Sequence, residues 1–321
     1  MDHPQRFSGI PEVVAALERH GYIADRELAT AIYLSLVLQK PLLIEGAAGV
    51  GKTEVAKVMA RVLDTELIRL QCYEGLDVHT ALYEWNYPRQ LLRIKLEEAS
   101  DRPAEEKEHL IFSEPFLLKR PLLRAITADR PPVLLIDEVD RADEEFEAFL
   151  LEVLSDFQVS IPEIGTIRAR HLPYVVLTSN RTRELSDALR RRCLYLWIDY
   201  PSFEKELTIV RTKVPDVNER LARQICAFMQ LVRTVDLAKV PGIAETLDWS
   251  AALLALHRDH LDPAAVEETL GCLCKDQEDL VRIRTHYLRP ILGAVESVGT
   301  SGDGWTPERI AHLASQLPKA R

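Results

Sequence analysis

Residues 46–53 read Gly46-Ala47-Ala48-Gly49-Val50-Gly51-Lys52-Thr53, a full G-x-x-x-x-G-K-[ST] pattern. The residue types state the chemistry. Glycines let the backbone curl until successive N–H groups face phosphate oxygens. A helix starting near Lys52 would aim its positive end at the same place. Lys52 is spaced to reach β- and γ-phosphates, and Thr53 offers a hydroxyl to Mg2+. At average residue frequencies, roughly one chain of this length in a hundred carries the pattern by chance. The apolar run Leu42-Leu43-Ile44 before it and the helical pattern after it favour phosphate binding over a plain Gly-rich turn.

A second candidate group follows the apolar run Val133-Leu134-Leu135-Ile136, which ends in Asp137-Glu138. Ligands sit at the C-terminal ends of strands in a parallel sheet. There, Asp137 would hold Mg2+ through water, and Glu138 would orient and polarise a water for γ-phosphate cleavage. Many strands end in an acidic turn, so the pair gains its meaning from the loop upstream. The following Asp140, Asp143, Glu144, Glu145 and Glu147 read as a solvated helix start favoured by the helix dipole. A third run, Val175-Val176-Leu177-Thr178-Ser179, ends at Asn180. Asn180 there either bonds the attacking water or γ-phosphate, or simply closes a turn. Five arginines come next: Arg181, Arg183, Arg190, Arg191 and Arg192. They fit a solvated basic face, a nucleic-acid surface, or an arginine finger reaching a neighbour's nucleotide. A finger acting in trans requires a head-to-tail ring.

These residues need strands and helices to position them. Helical spacing covers 13–20, 25–39 and 52–63, and short buried strands cover 42–45 and 67–72. Helix-like pieces flank an interruption at Trp85-Asn86-Tyr87-Pro88, and the charged stretch 99–108 reads as an exposed loop. Helices are expected at 121–128 and 144–154, a hairpin at 158–169, and strands at 133–136, 174–178 and 194–198. After Asp199-Tyr200-Pro201-Ser202 the pattern is helical only: 203–213, 218–233, 249–257, 263–274 and a last helix from Pro307. Gly299 to Gly304 reads as a linker. Strands alternating with helices, then helices alone, predict a parallel α/β domain followed by a small helical one.

The 321 residues, 47% apolar and 28% charged, are long enough for a large core plus a second domain. With 40 Lys+Arg against 50 Asp+Glu the formal net charge is -10. That sign argues against non-specific nucleic-acid binding. The five cysteines are scattered at 72, 193, 226, 272 and 274, which predicts reduced thiols and a cytoplasmic protein. Residues 1–10 lack a signal-peptide pattern, and the longest apolar stretch, 29–38, is too short to span a bilayer. His79, His109, His171, His257 and His260 lack metal-ligand spacing and read as surface or core residues.

The order of these motifs resembles that of the AAA+ ATPases. Gly46–Thr53 stands as Walker A, 134–138 as Walker B, Asn180 as sensor 1 and 188–193 as the finger segment, ahead of a helical lid. The Asp-Glu-Val-Asp-Arg-Ala stretch 137–142, the 158–169 hairpin and the interrupted helix near Trp85 are similar to the MoxR group of the helix-2-insert branch. The run 178–193 resembles MoxR-type ATPases that accompany von Willebrand A-domain proteins, nearest the carbon monoxide dehydrogenase maturation ATPases. The resemblance implies a P-loop NTPase core at 1–200, with an insertion near 77–109, and a helical lid and C-terminal helix at 201–321. It implies ATP and Mg2+ as cofactors, with Mg2+ on Thr53 and Asp137, and ATP-driven remodelling within a hexameric ring. A von Willebrand A-domain partner and a client enzyme receiving a cofactor or metal go with it. By position Arg192 matches the finger, Arg191 is the fallback, and Arg183 also faces the neighbour. MoxR lids carry a sensor 2 arginine where this chain has Trp249, so Arg258 is the substitute to consider. A nucleic-acid-directed ring NTPase of restriction or replication type is the competing function. A non-hydrolysing scaffold is disfavoured because Lys52, Asp137 and Glu138 are all present.

Overall fold

A computed structural model describes residues 7–97, 103–301 and 305–318. By contact density the chain forms two compact units. One comprises residues 1–20, 24–46 and 52–197, and the other 21–23, 47–51 and 198–321.

The first unit is built on strands β1 (Leu42–Gly46), β2 (Leu67–Gln71), β3 (Tyr83–Trp85), β4 (Leu117–Lys119), β5 (Val133–Asp137), β6 (Gln158–Ile161), β7 (Gly165–Arg168), β8 (Tyr174–Ser179) and β9 (Leu194–Ile198). Five of them make one parallel sheet in the order β2-β5-β8-β1-β9. Its central strands are buried on both faces, which is why β1 and β5 are near-continuous Leu, Ile and Val. Register places Gln71 beside Asp137 and Glu45 beside Ser179, so the polar strand ends share one edge. Helices α1 (Ile10–Arg19), α2 (Arg26–Leu38), α3 (Lys52–Val62), α4 (Val78–Ala81), α5 (Tyr87–Glu97), α6 (Ala104–Ile111), α7 (Pro121–Ile126), α8 (Glu144–Asp156) and α9 (Asp187–Arg192) complete this unit. Asp25, Asp143 and Ser186 cap α2, α8 and α9 by accepting backbone N–H bonds. Leu43, Leu134, Ile136, Leu177, Leu122, Phe146 and Leu150 lie in one core.

The second unit is helical: α10 (Phe203–Lys213), α11 (Glu219–Val232), α12 (Ile243–Ala255), α13 (Pro263–Leu273), α14 (Gln277–Arg282), a π-helical turn (Ile283–Tyr287), α15 (Leu288–Ser301) and α16 (Pro307–Gln316). α11 feeds Leu221, Ile225, Phe228 and Val232 into a core with Trp249 and Leu270. An ion pair with little exposure orders the turn before α12. Arg233 donates to both oxygens of Glu206 at 2.7 Å and to the Pro241 carbonyl at 2.9 Å. In the same unit the Gly49 carbonyl accepts from Ile243 N at 3.0 Å. A Cβ on Gly242 would meet the Gly49 carbonyl atoms at 2.6 Å, so that approach requires glycine.

Several expectations need correction. Of the stretch 99–108 expected as loop, residues 104–108 belong to helix α6, while 98–102 lie outside the described residues. The interruption near Trp85 is a short β-ribbon, because Tyr83, Glu84 and Trp85 pair antiparallel with 117–119. α12 begins at Ile243, six positions before the expected start. α15 runs through 301, into the span expected as a linker, and 302–304 lie outside the described residues. No helix among the described residues is long and apolar enough to cross a membrane.

Candidate active site

The loop 46–51 joins β1 to α3. Gly49 and Gly51 have φ of +75° and +95°, a region that side chains avoid. Within the turn Ala47 is half-buried, Ala48 exposed and Val50 buried. α3 starts at Lys52, so the helix N-terminus and the loop converge. Lys52 is 6% exposed, and its Nζ donates to the Gly46 carbonyl at 2.9 Å. Burial lowers its pKa, opposed by the nearby carboxylates of Asp140, Asp137 and Glu138.

Thr53 and Asp137 meet although 84 residues separate them: Thr53 Oγ1 donates to Asp137 Oδ1 at 3.0 Å. Thr178, the next-to-last residue of β8, ties the pair further. Its hydroxyl donates to Asp137 Oδ1 and accepts from Glu138 N at 2.9 Å. Asp137 is buried, and its second oxygen, Oδ2, receives Arg69 Nε at 3.0 Å and Nη2 at 2.6 Å. Glu138 sits at φ 54°, a left-handed conformation uncommon outside glycine and a sign of local strain. Gln71 Nε2 donates to its Oε2 at 3.1 Å, Asn180 Nδ2 to its Oε1 at 3.4 Å, and Arg141 lies 3.4 Å away. Asn180 therefore stands beside Glu138 at the same sheet edge.

Asp140 and Glu147 depart from the expected solvated helix start. Asp140 is 2% exposed and accepts from Asn180 N at 3.2 Å, Thr182 N at 2.8 Å and Thr182 Oγ1 at 2.7 Å. It fixes the turn that presents Asn180. Glu147, 1% exposed, accepts from Ser186 N at 2.9 Å and pairs with Arg183. Arg183 also donates to the Ala142 carbonyl, so its guanidinium is occupied within its own chain. Arg191 is exposed. Arg192 is exposed too, with Nε donating to Ser155 Oγ at 2.9 Å. Trp249, at the expected sensor 2 position, is a core residue: it is fully buried, packs on Phe228 and donates Nε1–H to Thr269 at 2.7 Å. Arg258 is paired with Glu268 at 2.9 Å.

Sequence reasoning missed Arg69, Gln71, Thr178 and Asp140. Two signals were available. β2 places polar Arg69 and Gln71 at alternate positions near its C-terminal end. Asp140 lies two residues beyond the Asp-Glu pair.

The donor set suits the group that a phosphate-binding loop calls for. Hard oxygens from Thr53 and Asp137 match Mg2+, which takes one or two protein ligands and completes its shell with phosphate and water. Among the described residues, no group of three His, Cys, Asp or Glu side chains is placed to hold a metal by itself.

Comparison with known proteins adds to this geometry. The chain is similar to an uncharacterized protein of Staphylococcus aureus (strain bovine RF122 / ET3-1), 26% identical over 226 residues, which covers 68% of this chain and 77% of that protein. A counterpart in strain USA300 matches with the same identity and coverage. Among solved structures, the Thermotoga maritima RuvB Holliday junction branch migration motor matches with a TM-score of 0.44 and 18% identity. That match covers 98% of this chain and 93% of that one. A mutant of the same RuvB gives a TM-score of 0.46 at 19% identity, covering 98% and 91%. Residues 41–193 match the family described as AAA domain (dynein-related subfamily), and this span holds the loop, the Asp137-Glu138 pair, Asn180 and the arginines. Residues 41–193 are thus similar to the AAA domain family, and the parallel sheet of five strands flanked by helices is the P-loop AAA+ fold.

Proposed function

We propose that this chain hydrolyses Mg-ATP and uses the cycle to remodel a partner protein. The carrying observation is the convergence of Thr53, Asp137, Glu138 and Asn180 on one sheet edge beside the Gly46–Thr53 loop. Backbone N–H groups of the loop and the α3 N-terminus bind phosphate, and Lys52 adds a cation. Thr53 and Asp137 would hold Mg2+, which would supply charge neutralisation to the nucleotide's phosphates. Glu138 accepts a proton from the attacking water, and Asn180 and Gln71 fix the direction of its carboxylate. Arg192, or Arg191 beside it, acts at the nucleotide of a neighbouring copy in a ring, a hexamer by resemblance. Residues 201–321 serve as the lid.

The resemblance to MoxR-type ATPases supports a von Willebrand A-domain partner and a client enzyme matured by cofactor or metal insertion. The net charge of -10 also supports a protein partner over a nucleic acid. The test is specific ATPase activity against protein concentration, with mass by light scattering, for wild type and Arg192→Ala. Activity that rises with assembly, and a variant that assembles but hydrolyses at least about tenfold more slowly, is expected. Concentration-independent activity with an unaffected variant would remove the ring and the finger from the account.

A further inference from the structure

We infer that Arg69 is a resident cation of the nucleotide site, holding Asp137 when divalent metal is absent and yielding that carboxylate when metal arrives. The inference rests on the nucleotide-site reading above and concerns a residue outside its motifs.

The observation is a distribution of partners over one buried carboxylate. Asp137 is 3% exposed, and its Oδ1 takes the hydroxyls of Thr53 and Thr178. Its Oδ2 takes two N–H groups of Arg69, at 3.0 and 2.6 Å. A buried carboxylate without a cation is strongly disfavoured. Glu138 and Asp140 add further negative charge close to Lys52 and Asp137. Without metal, Arg69 therefore balances the Asp137 carboxylate.

The arginine is also built to leave. Its side chain is 49% exposed and lies on β2, so it can swing into solvent without burying a charge. Only the arginine end of the pair is half-exposed, so exchange for a divalent ion replaces one cation on Asp137 by another and never leaves the buried carboxylate uncompensated. Arg69 Nη2 also donates to Gln71 Oε1, so the arginine gives up two sets of partners together.

Two effects of opposite sign follow. In metal-free buffer the guanidinium offsets carboxylates that repel a nucleotide's phosphates, so its loss weakens metal-free nucleotide binding. With metal present, Arg69 competes for Asp137, so its loss lowers the Mg2+ concentration needed. The experiment uses the full chain and the fluorescent nucleotide mant-ADP. Affinity is measured in EDTA and across a Mg2+ titration for wild type, Arg69→Gln and Arg69→Lys. In Arg69→Gln, metal-free affinity should drop and the Mg2+ midpoint should fall, each by roughly three- to tenfold. Arg69→Lys keeps the charge and should stay near wild type, which also guards against a general folding defect. If Arg69→Gln weakens binding in both conditions, or changes neither, Arg69 is only a positioning residue and the inference is overturned. If wild type fails to bind mant-ADP under any condition, as Lys52→Ala should, the nucleotide-site reading itself falls. That outcome is separable from a failure of Arg69 alone.

Discussion

At the residue scale, the site depends on buried carboxylates, Asp137 and Asp140, that are held by hydrogen bonds from neighbouring strands and turns. Asp140 illustrates this: it is buried at 2% exposure and accepts three hydrogen bonds from residues 180 and 182. Removing it leaves two backbone N–H groups without a partner beside Asn180. Asp140→Ala should destabilise the chain by about 1–3 kcal/mol, read as a lower denaturation midpoint. It should also slow hydrolysis by releasing the Asn180 turn. An unchanged midpoint with unchanged turnover would mean that the turn holds itself. Lys52, Thr53, Asp137 and Glu138 were legible in the sequence because spacing and flanking apolar runs specify them. Arg69 and Gln71 were not, since a polar residue at alternate strand positions looks like an ordinary solvated face. Only the pairing of Gln71 with Asp137 in β2–β5 register turns that face toward the site. Asp140 was misread because an acidic cluster before a helix has the same composition whether it is solvated or buried.

At the element scale, glycines separate tight packing from free space. Gly242 has φ -91°, so an alanine there is not strained by its backbone. Its Cβ would nevertheless meet Gly49 backbone atoms at 2.6 to 2.8 Å. Gly242→Ala should cost about 1–3 kcal/mol and weaken nucleotide binding through the displaced loop. Gly293, inside α15, has open space around its Cβ position. Gly293→Ala should stabilise by about 0.5–1 kcal/mol through helix propensity alone. Thermal or urea denaturation of both variants checks the pair, and equal effects of one sign would contradict the packing argument. The same scale shows where sequence reading succeeded. The core strands and α10 fell close to their expected places, because burial on both faces and a Ser202 cap leave clear patterns. Helix α6 was hidden by its charge. The run 277–301 contains Pro290, a residue type that reads as a helix break, yet the helix continues through it just after the π-helical turn 283–287.

At the scale of the whole molecule, the proposed ring makes each active site a property of two copies. Arg192→Ala keeps its own Glu138, and Glu138→Gln keeps its own Arg192. Mixing the two inactive variants should restore activity at interfaces that combine an intact site with an intact finger. With random mixing about a quarter of head-to-tail interfaces qualify. No recovery from variants that co-assemble by light scattering would show that Arg192 acts within its own chain or not at all. The chain's net charge of -10 bears on the same scale, since a ring of acidic copies has little overall attraction for a phosphate backbone.

The most direct measurement is mant-ATP binding and phosphate release in parallel on wild type, Lys52→Ala and Glu138→Gln. Wild type should bind and hydrolyse, and Lys52→Ala should lose binding. Glu138→Gln should bind normally while hydrolysing about 10²- to 10⁴-fold more slowly. Glu138→Gln turning over at the wild-type rate, or Lys52→Ala binding as tightly as wild type, would contradict the assignment of this sheet edge as the site of ATP hydrolysis.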